Sequence, residues 1–596
     1  MGNKLVSNRL KFLIFTFLFF SVGSFVLLSL RSSHFRVGPV WTIRIPASRG
    51  KILDAQGRLC AYDGFVSVAY LDIDYLKSAN LDRLKPHLEL LLKNFNVGKT
   101  TQDVFASRQR FLRLGEATSR DEILRLIPTE LLPYVSIELE PRRKRFTDFG
   151  MDKILGTVIG NRGVGGVEEA LDSQLRGKKD GRAFLRFSGF VTLSPKLESL
   201  REPIDGKDIR LTIDMEFQRT CYEEILKARE QNQAVSVGAI VMETKTGRIR
   251  AMVTTRSWND AVLGYFEPGS SLKPIVYAIA LESGVISGEE TFNCTGQIKP
   301  VPEVDVVVRD IDVHGVVSVS EALIHSCNSA TIMIAKRIKE QLGDEVYYEW
   351  LKRFGFGEKT NIEIAGEIPG VLRKPSQWSK IDFAMVSIGQ GIGTPPVQFL
   401  AAFNVLANSG KYVKPTIVEG GSVEEKRVIS ERTSDFIRKA LHRVVLEGTG
   451  KRADVFEVSV AGKTGTAQKL VGGKDKDRYF SIFVGYFPAE DPLYTILVYI
   501  DEPSAGAYLA GEVAAPVFAA IVKRILQIRK EHPLKVVTTV MPDLRGLTLR
   551  DALLILEQIG IRKEDIRYEG VGTVKEQYPE PGAIDFRDKR IFLKLQ

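Results

Sequence analysis

The longest apolar run in the chain, Phe12 to Leu30 (FLIFTFLFFSVGSFVLLSL), carries no charge. As a helix it would reach roughly 28 Å, the thickness of a bilayer core. Arg31-Ser32-Ser33-His34 follows, without the small-x-small pattern of a cleaved signal peptide. A retained, single-pass anchor over 12–30 is therefore expected, since no second run of this length occurs. Lys4, Arg9 and Lys11 precede it, which puts residues 1–11 in the cytoplasm and everything after Arg31 outside. Residues 31–207 then mix strand-like runs (SVAYLDIDYL) with a charged helical stretch (DEILRLIPTELL), punctuated by Arg-Gly and Gly-x-Gly turns.

From Asp208 the texture changes. Ile209 to Ile213 alternates like a strand, and Asp214 is placed to cap the helix MEFQRTCYEEILKAREQ. Val235–Met242 and Arg248–Thr254 read as strands joined by a turn around Thr246-Gly247. Pro268 to Asn408 reads mostly helical. Three β-rich runs follow (FEVSVAGKTGTAQ, RYFSIFVGYFP, LYTILVYIDEP), and their turn residues suit an antiparallel meander. A helix, VAAPVFAAIVKRILQIRK, closes the unit near Lys530. Strands at both ends of a helical middle predict one sheet built from both ends of 208–530, with helices on its faces. Residues 531–535 read as a charged linker containing Pro533, and 536–596 as a small β/α unit. The chain is thus expected to be multidomain α+β.

Length and composition add little to this. A chain of 596 residues requires three or four domains, and 44% apolar with 26% charged residues is ordinary for folded protein. The net charge of +10 changes the picture more. Lys and Arg are spread along the chain, with no basic block interleaved with aromatics, which argues against nucleic acid. Work beside an anionic membrane or wall polymer fits better. Cys60, Cys221, Cys294 and Cys327 are widely spaced, with no C-x-x-C and no nearby His pair. That spacing argues against a zinc site, and so few cysteines argue against a disulfide scaffold. Buried free thiols are expected, a single disulfide stays open, and no metal or cofactor is expected.

Acyl transfer without a metal needs a nucleophile, a proton acceptor in reach, and donors aimed at the oxyanion. Pro268-Gly269-Ser270-Ser271-Leu272-Lys273 supplies the first two. Pro and Gly break the chain before an apolar-periodic helix, so Ser270 falls in its first turn, with Lys273 on the same face. The helix N-terminus and desolvation would lower the lysine pKa until a neutral amine acts as base. An S-x-x-K alone means little, since a chain of this size contains about two by chance, and Ser48-Arg49-Gly50-Lys51 is read as one such bystander. S-x-N occurs at Ser326-Cys327-Asn328 but also at Ser78/Asn80 and Ser257/Asn259. K-T-G occurs at Lys463-Thr464-Gly465 but also at Lys245-Thr246-Gly247, which reads as a turn. Context separates them. Ser326 lies in a helical run (EALIHSCNSATIMIAK), and Lys463-Thr464-Gly465-Thr466 ends an alternating strand where glycine lets substrate approach the backbone.

The ordered triple S-x-x-K, S-x-N, K-T-G resembles the signature of penicillin-binding proteins and serine β-lactamases. Phe266-Glu267-Pro268-Gly269-Ser270 is similar to the lead-in of the transpeptidases, as is Ser387-Ile388-Gly389-Gln390-Gly391 with Thr394-Pro395 and Gln398 to their helical segment before the final sheet. Arg49-Gly50-Lys51-Ile52-Leu53-Asp54 and Gly165-Gly166-Val167-Glu168 resemble the dimerisation-type pedestal of the monofunctional class B branch. Met541 to Gly546, the helix DALLILEQIG and Tyr578-Pro579-Glu580-Pro581-Gly582 resemble one PASTA repeat. The resemblance implies a pedestal over 31–207, a penicillin-binding transpeptidase domain over 208–530 with an antiparallel sheet flanked by helices plus an all-helical part, and a PASTA domain over 536–596.

It also implies roles. Ser270 is acylated by a D-Ala-D-Ala stem peptide or by a β-lactam, and Lys273 accepts its proton. Ser326 relays protons to the leaving amine, while Asn328 holds the acyl-side amide and helps orient Lys273. Lys463 contributes positive potential, Thr464 and Thr466 bind the substrate carboxylate beside Gly465, and the backbone N–H groups of Ser270 and Thr466 form the oxyanion hole. Implied partners are peptidoglycan stem peptides, a separate membrane glycan polymerase and division-type proteins. Cys327 between Ser326 and Asn328, Ala55-Gln56 in the pedestal motif, and a short Met252–Phe266 stretch depart from the usual pattern without removing a catalytic group. Rival readings are a D,D-carboxypeptidase, an elongation-type enzyme, a non-catalytic wall sensor, and a β-lactamase. Glu363 and Glu367, candidates for a deacylating acid by position only, read as surface residues.

Overall fold

The computed structural model describes residues 40–596 apart from 80, 187–195, 422, 472–473, 531–540, 559–560 and 584–589. The expected anchor over 12–30 and linker over 531–535 lie outside the described residues. Among the described residues no helix is long and apolar enough to cross a membrane.

The N-terminal unit is organised around a long strand, β1 (Leu59–Asp72), paired antiparallel with both β2 (Phe111–Ala117) and β3 (Val135–Arg145). Ala69 and Leu71 are buried in a satellite core with Leu88, Leu91 and Ile123 from the helices beside it. The Arg-Gly-Lys and Gly-Gly-Val-Glu stretches meet here. Arg49 donates to Glu168 Oε2 at 2.6 Å and to the half-buried Asp172 at 2.7 Å, and Arg143 donates to Glu168 Oε1 at 2.6 Å, with both arginines and Glu168 essentially out of solvent. A buried cation survives only when so paired. Gly50 is required at its position, because a Cβ there would lie 2.0 Å from the Lys207 carbonyl oxygen. That close approach lets Ile52-Leu53 pair in parallel with Ile209-Arg210, joining the start of this unit to the start of the next. Ser48 and Lys51, the bystander pair, stand here, with Ser48 N donating to Asp205 and Lys51 bound to Asp551.

The central unit begins with α1 (Met215–Gln231), whose N-terminus Asp214 caps, and continues into β4 (Ser236–Glu243) and β5 (Ile249–Thr254). Its middle comprises α2 (Lys273–Glu282), the short strands β6 (Thr291–Cys294) and β7 (Gly315–Ser318), α3 (Val319–Ile324), α4 (Asn328–Leu342), α5 (Pro396–Ala407) and α6 (Glu431–Leu446). The chain then returns as β8 (Ala461–Val471), β9 (Lys474–Phe487), β10 (Tyr494–Asp501) and the closing helix α7 (Ala510–Lys530). The sheet runs β5-β4-β10-β9-β8, antiparallel throughout, so strands from the two ends of the unit pair at β4–β10. Helices α1 and α7 cover one face, packing Phe217, Cys221 and Phe518 against Val237 and Phe483. On the other face α2 and α5 carry Tyr277, Phe399 and Phe403 into the main core. Helix α5 is buried all round, and its two amides are satisfied: Asn404 donates to the Thr244 carbonyl at 2.9 Å and Gln398 to the Pro369 carbonyl at 2.8 Å.

Three sequence expectations need adjusting. The helical middle is interrupted by the β6–β7 hairpin. The Lys463–Thr466 tetrapeptide opens β8 rather than ending a strand, because the chain before Ala461 runs as turns. Glu367 is buried, not on the surface; its carboxylate accepts from the backbone of Thr360 and Asn361 at 2.8 Å, and the half-buried Glu363 accepts from Ile417 N at 3.0 Å. Both acids are occupied as structural acceptors.

The C-terminal unit sets α8 (Leu549–Gln558) on a sheet of β11 (Ile566–Glu569), β12 (Val574–Tyr578) and β13 (Ile591–Leu595), with β13 in the middle. It rests on the N-terminal unit. Lys51–Asp551 and Lys575–Asp121 pair at 2.6 Å each, Lys144 donates to the Arg545 carbonyl at 2.6 Å, and Tyr62 packs on its core.

Candidate active site

Three backbone segments meet in near-contact, and glycines let them. A Cβ at Gly389, in the Ser-Ile-Gly-Gln-Gly segment, would lie 2.1 Å from the Gly269 carbonyl oxygen, while Gly269 N donates to Gly389 O at 3.0 Å. A Cβ at Gly465 would lie 2.4 Å from the Pro268 carbonyl oxygen. Strand β8 and the 387–391 segment therefore clamp the Pro268-Gly269 turn from two sides. Ser270 follows in a 3₁₀ turn, Gly269–Leu272, that leads directly into α2. Gly269 itself, at φ +53°, adopts the left-handed conformation, and a Cβ there would stand 3.1 Å from Thr466 O and 3.5 Å from Thr466 N. The peptide groups entering Ser270 and Thr466 are thus neighbours, as two converging oxyanion donors would need to be.

Lys273 begins α2 and is fully buried. Burial pulls its pKa down to about 8, partly opposed by the negative charge of Asp310. Its Nζ donates to the Ser326 carbonyl and lies 3.3 Å from Ser326 Oγ. Lys463, on β8 and equally buried, donates to the same Ser326 Oγ at 2.9 Å and to Thr464 O at 3.1 Å. Its pKa falls well below the ordinary lysine range, through burial first and the nearby Lys273 second. One hydroxyl thus bridges two amines that come from segments 190 residues apart in the chain. The Thr464 hydroxyl is 2.7 Å from that of Thr449, and the Thr466 hydroxyl accepts from Ala510 N at 3.0 Å at the start of α7.

Ser326 reaches this position because the helical run around it breaks. Helix α3 ends at Ile324 and α4 starts at Asn328, with Ser326 at φ +58° between them. That left-handed conformation is uncommon for a residue with a side chain. It is held by Cys327 N donating to Ala322 O at 2.8 Å, and by Cys327 Sγ capping α4 through Ala330 N at 3.2 Å. Asn328 has a different partner from the one expected: its amide donates to the Arg309 carbonyl at 2.7 Å, and the bonds that hold Lys273 come from Ser326. Asp310, beside Arg309, accepts from Asn328 N and from the Ser329 hydroxyl. Neither Asp310 nor Thr449 was marked by sequence, because both sit in loops with no motif around them.

A groove of ≈ 660 Å³ opens between Trp258, Tyr265, Phe266 and Glu267, which precede Ser270 in the chain, on one side and Ala467 to Lys469, which follow Thr466, on the other. A larger cavity of ≈ 750 Å³ lies between β3 and the C-terminal unit, and none of Ser270, Lys273, Ser326, Asn328 or Lys463 to Thr466 lines either space. The first is the one that adjoins the chemistry.

Comparison with known proteins matches each of the three units. Residues 44–211 match the penicillin-binding protein dimerisation domain, residues 237–523 the penicillin-binding protein transpeptidase domain, and residues 539–595 the PASTA domain. Penicillin-binding protein PbpB of Mycolicibacterium smegmatis is 30% identical over 491 residues, 75% of this chain and 74% of that protein. Stage V sporulation protein D of Bacillus subtilis is 28% identical over 91% of this chain and 89% of its own length. The crystal structure of penicillin-binding protein 3 from Mycobacterium tuberculosis in complex with aztreonam superposes with a TM-score of 0.61 at 25% identity, covering 82% of this chain and 98% of that one. The chain belongs to the class B penicillin-binding proteins, which join a dimerisation-type pedestal to a transpeptidase domain.

Proposed function

We infer that this protein is a serine D,D-transpeptidase that cross-links peptidoglycan stem peptides and is acylated by β-lactams, with Ser270 as nucleophile. The observation that carries the reading is the Ser326 hydroxyl held between two buried lysines, one of them a turn beyond Ser270. In the reaction Ser270 Oγ attacks the carbonyl between the two D-alanines while neutral Lys273 takes its proton. The N–H groups of Ser270 and Thr466 meet the developing oxyanion. Ser326 passes a proton from the lysine pair to the departing D-alanine amine. Thr464, Thr466 and Lys463 receive the terminal carboxylate, whose charge would draw a proton onto Lys463 and reverse the fall in its pKa. Gly465 keeps the β8 backbone open to the peptide, and Asn328 holds the acyl-side amide. The amine of a second stem peptide then attacks the ester, which re-forms the amide bond and frees Ser270.

The remaining assignments extend from this. Residues 1–11 form a cytoplasmic tail, 12–30 a single membrane anchor, 31–207 the pedestal, 208–530 the catalytic domain and 536–596 the PASTA domain, with all but the tail and anchor outside the membrane. The uncharged run at 12–30 supports the anchor. A separate membrane glycan polymerase supplies the strands, and division-type proteins position the enzyme at a septum, supported by the C-terminal PASTA match. Labelling with fluorescent penicillin tests the core reading: wild type should label and Ser270→Ala should not. Equal labelling of both would remove Ser270 as nucleophile. Depletion should give filaments, and round cells would remove the septal role.

A further inference from the structure

Four side chains scattered in the sequence converge beside Ser326. Cys294 ends β6, Asp310 and His314 lie on the connection from β6 to β7, and Cys327 stands between Ser326 and Asn328. The two sulfurs and a carboxylate oxygen of Asp310 lie within 4.8 Å of one another. Asp310 Oδ2 is 3.8 Å from Cys294 Sγ and 3.7 Å from Cys327 Sγ, and His314 Nδ1 is 3.6 Å from Cys294 Sγ. These three distances match edges of a tetrahedron around zinc. Bonds of about 2.3 Å to sulfur and about 2.0 Å to oxygen or nitrogen put neighbouring ligand atoms about 3.5–3.8 Å apart.

We propose that Cys294, Asp310, His314 and Cys327 form a structural zinc site that fastens the Ser326–Asn328 segment to the β6–β7 hairpin. Two thiols, one imidazole and one carboxylate suit zinc and not the oxygen-seeking magnesium or calcium. Both cysteines are buried, and the supporting contacts are already in place. The Asp310 carboxylate accepts from Asn328 N, from Ser329 N at 3.2 Å and from the Ser329 hydroxyl, while the His314 ring stacks on His325 at 4.4 Å. Closure needs His314, which lies outside the three-atom cluster, to swing toward Cys327 and Asp310. Binding replaces two S–H protons with two Zn–S bonds and releases both protons. The site then carries −1 with zinc, as it does with neutral thiols and the Asp310 carboxylate alone. Occupancy therefore acts on position rather than on the field at Lys273. Chain spacing concealed the site, because its ligands come from a strand end, a hairpin loop and a helix cap.

The test uses the full chain in detergent, purified under reducing conditions with zinc and then measured for metal content. About one zinc per chain is expected, lost in Cys294→Ser and Asp310→Asn and kept in Cys60→Ser. Cobalt substitution of the wild type should give tetrahedral d–d bands with thiolate charge transfer, a readout that needs no variant to fold. Chelation should slow penicillin acylation at least tenfold, with recovery on adding zinc, as expected when a group that orients a catalytic segment is removed. Wild type without zinc and without a cobalt–thiolate band would overturn the site, as would a Cys294–Cys327 disulfide in its place. An acylation rate indifferent to chelation would overturn the positioning role. Metal content is read without substrate, so failure here leaves the Ser270 reading intact.

Discussion

The proposed chemistry depends on whether Lys273 is neutral when Ser270 attacks. Its pKa of about 8 reflects complete burial working against the Asp310 charge. A general base must be unprotonated, so acylation should rise as pH climbs through about 8 and level off above it. With that pKa the amine is neutral in about one molecule in eleven at pH 7 and about ten in eleven at pH 9, a tenfold gain. A solvated lysine near 10.4 would be neutral in only about one molecule in 2,500 at pH 7, so burial raises the competent fraction about 200-fold, worth about 3 kcal/mol. Stopped-flow acylation with a fluorescent penicillin, at constant ionic strength from about pH 6 to pH 9.5, reads the profile directly. A rate flat between pH 7 and 9, or one still climbing toward a midpoint near 10.4, would refute Lys273 as a burial-tuned base.

Three further outcomes follow from the packing. Gly389→Ala places a Cβ 2.1 Å from the Gly269 carbonyl, so the Ser270 turn must move; acylation should drop about 10²-fold for a displacement near 1 Å, read by penicillin labelling kinetics on folded protein. Arg49→Met leaves buried Glu168 with Arg143 as its one remaining arginine and should cost up to about 3–5 kcal/mol in urea unfolding, while Ser270 in the folded fraction still labels at the wild-type rate. Lys51→Ala removes a partly exposed pair that docks the C-terminal unit on the pedestal, so it should lower stability by less than about 1 kcal/mol by thermal melting; a larger loss would show that the docking is carried by that pair.

The sheet was legible in the chain because its strands are either strongly alternating or, like β4, apolar on both faces and bounded by turn residues. The order of the motifs was legible too. What periodicity could not show is the break at Ser326. The run EALIHSCNSATIMIAK keeps a helical pattern through the break, and no Gly or Pro marks it. The break is imposed from outside, by Asp310 on a distant loop accepting from Asn328 N and by a cysteine acting as the helix cap, a task ordinarily given to Ser, Thr, Asp or Asn. The same loop explains why Asn328 faces Arg309.

The two Lys-Thr-Gly tripeptides make the point from the other side. Lys245-Thr246-Gly247 and Lys463-Thr464-Gly465 are identical in sequence. Gly247 sits at φ +73° in the turn between β4 and β5, and Lys245 reaches out to Asp491 with most of its side chain in water. Gly465 lies in a regular strand, and Lys463 has no exposure at all. Both glycines are needed for close approach, the first to the Lys414 carbonyl and the second to the Pro268 carbonyl. The difference lies in what approaches. In one case it is a neighbouring loop, which only completes a turn; in the other it is the residue two before Ser270. Lys245 stands mostly in water, whereas burial, with a second amine nearby, lowers the pKa of Lys463. The tripeptide therefore carries chemistry only where the fold brings the Ser270 turn and Ser326 to it.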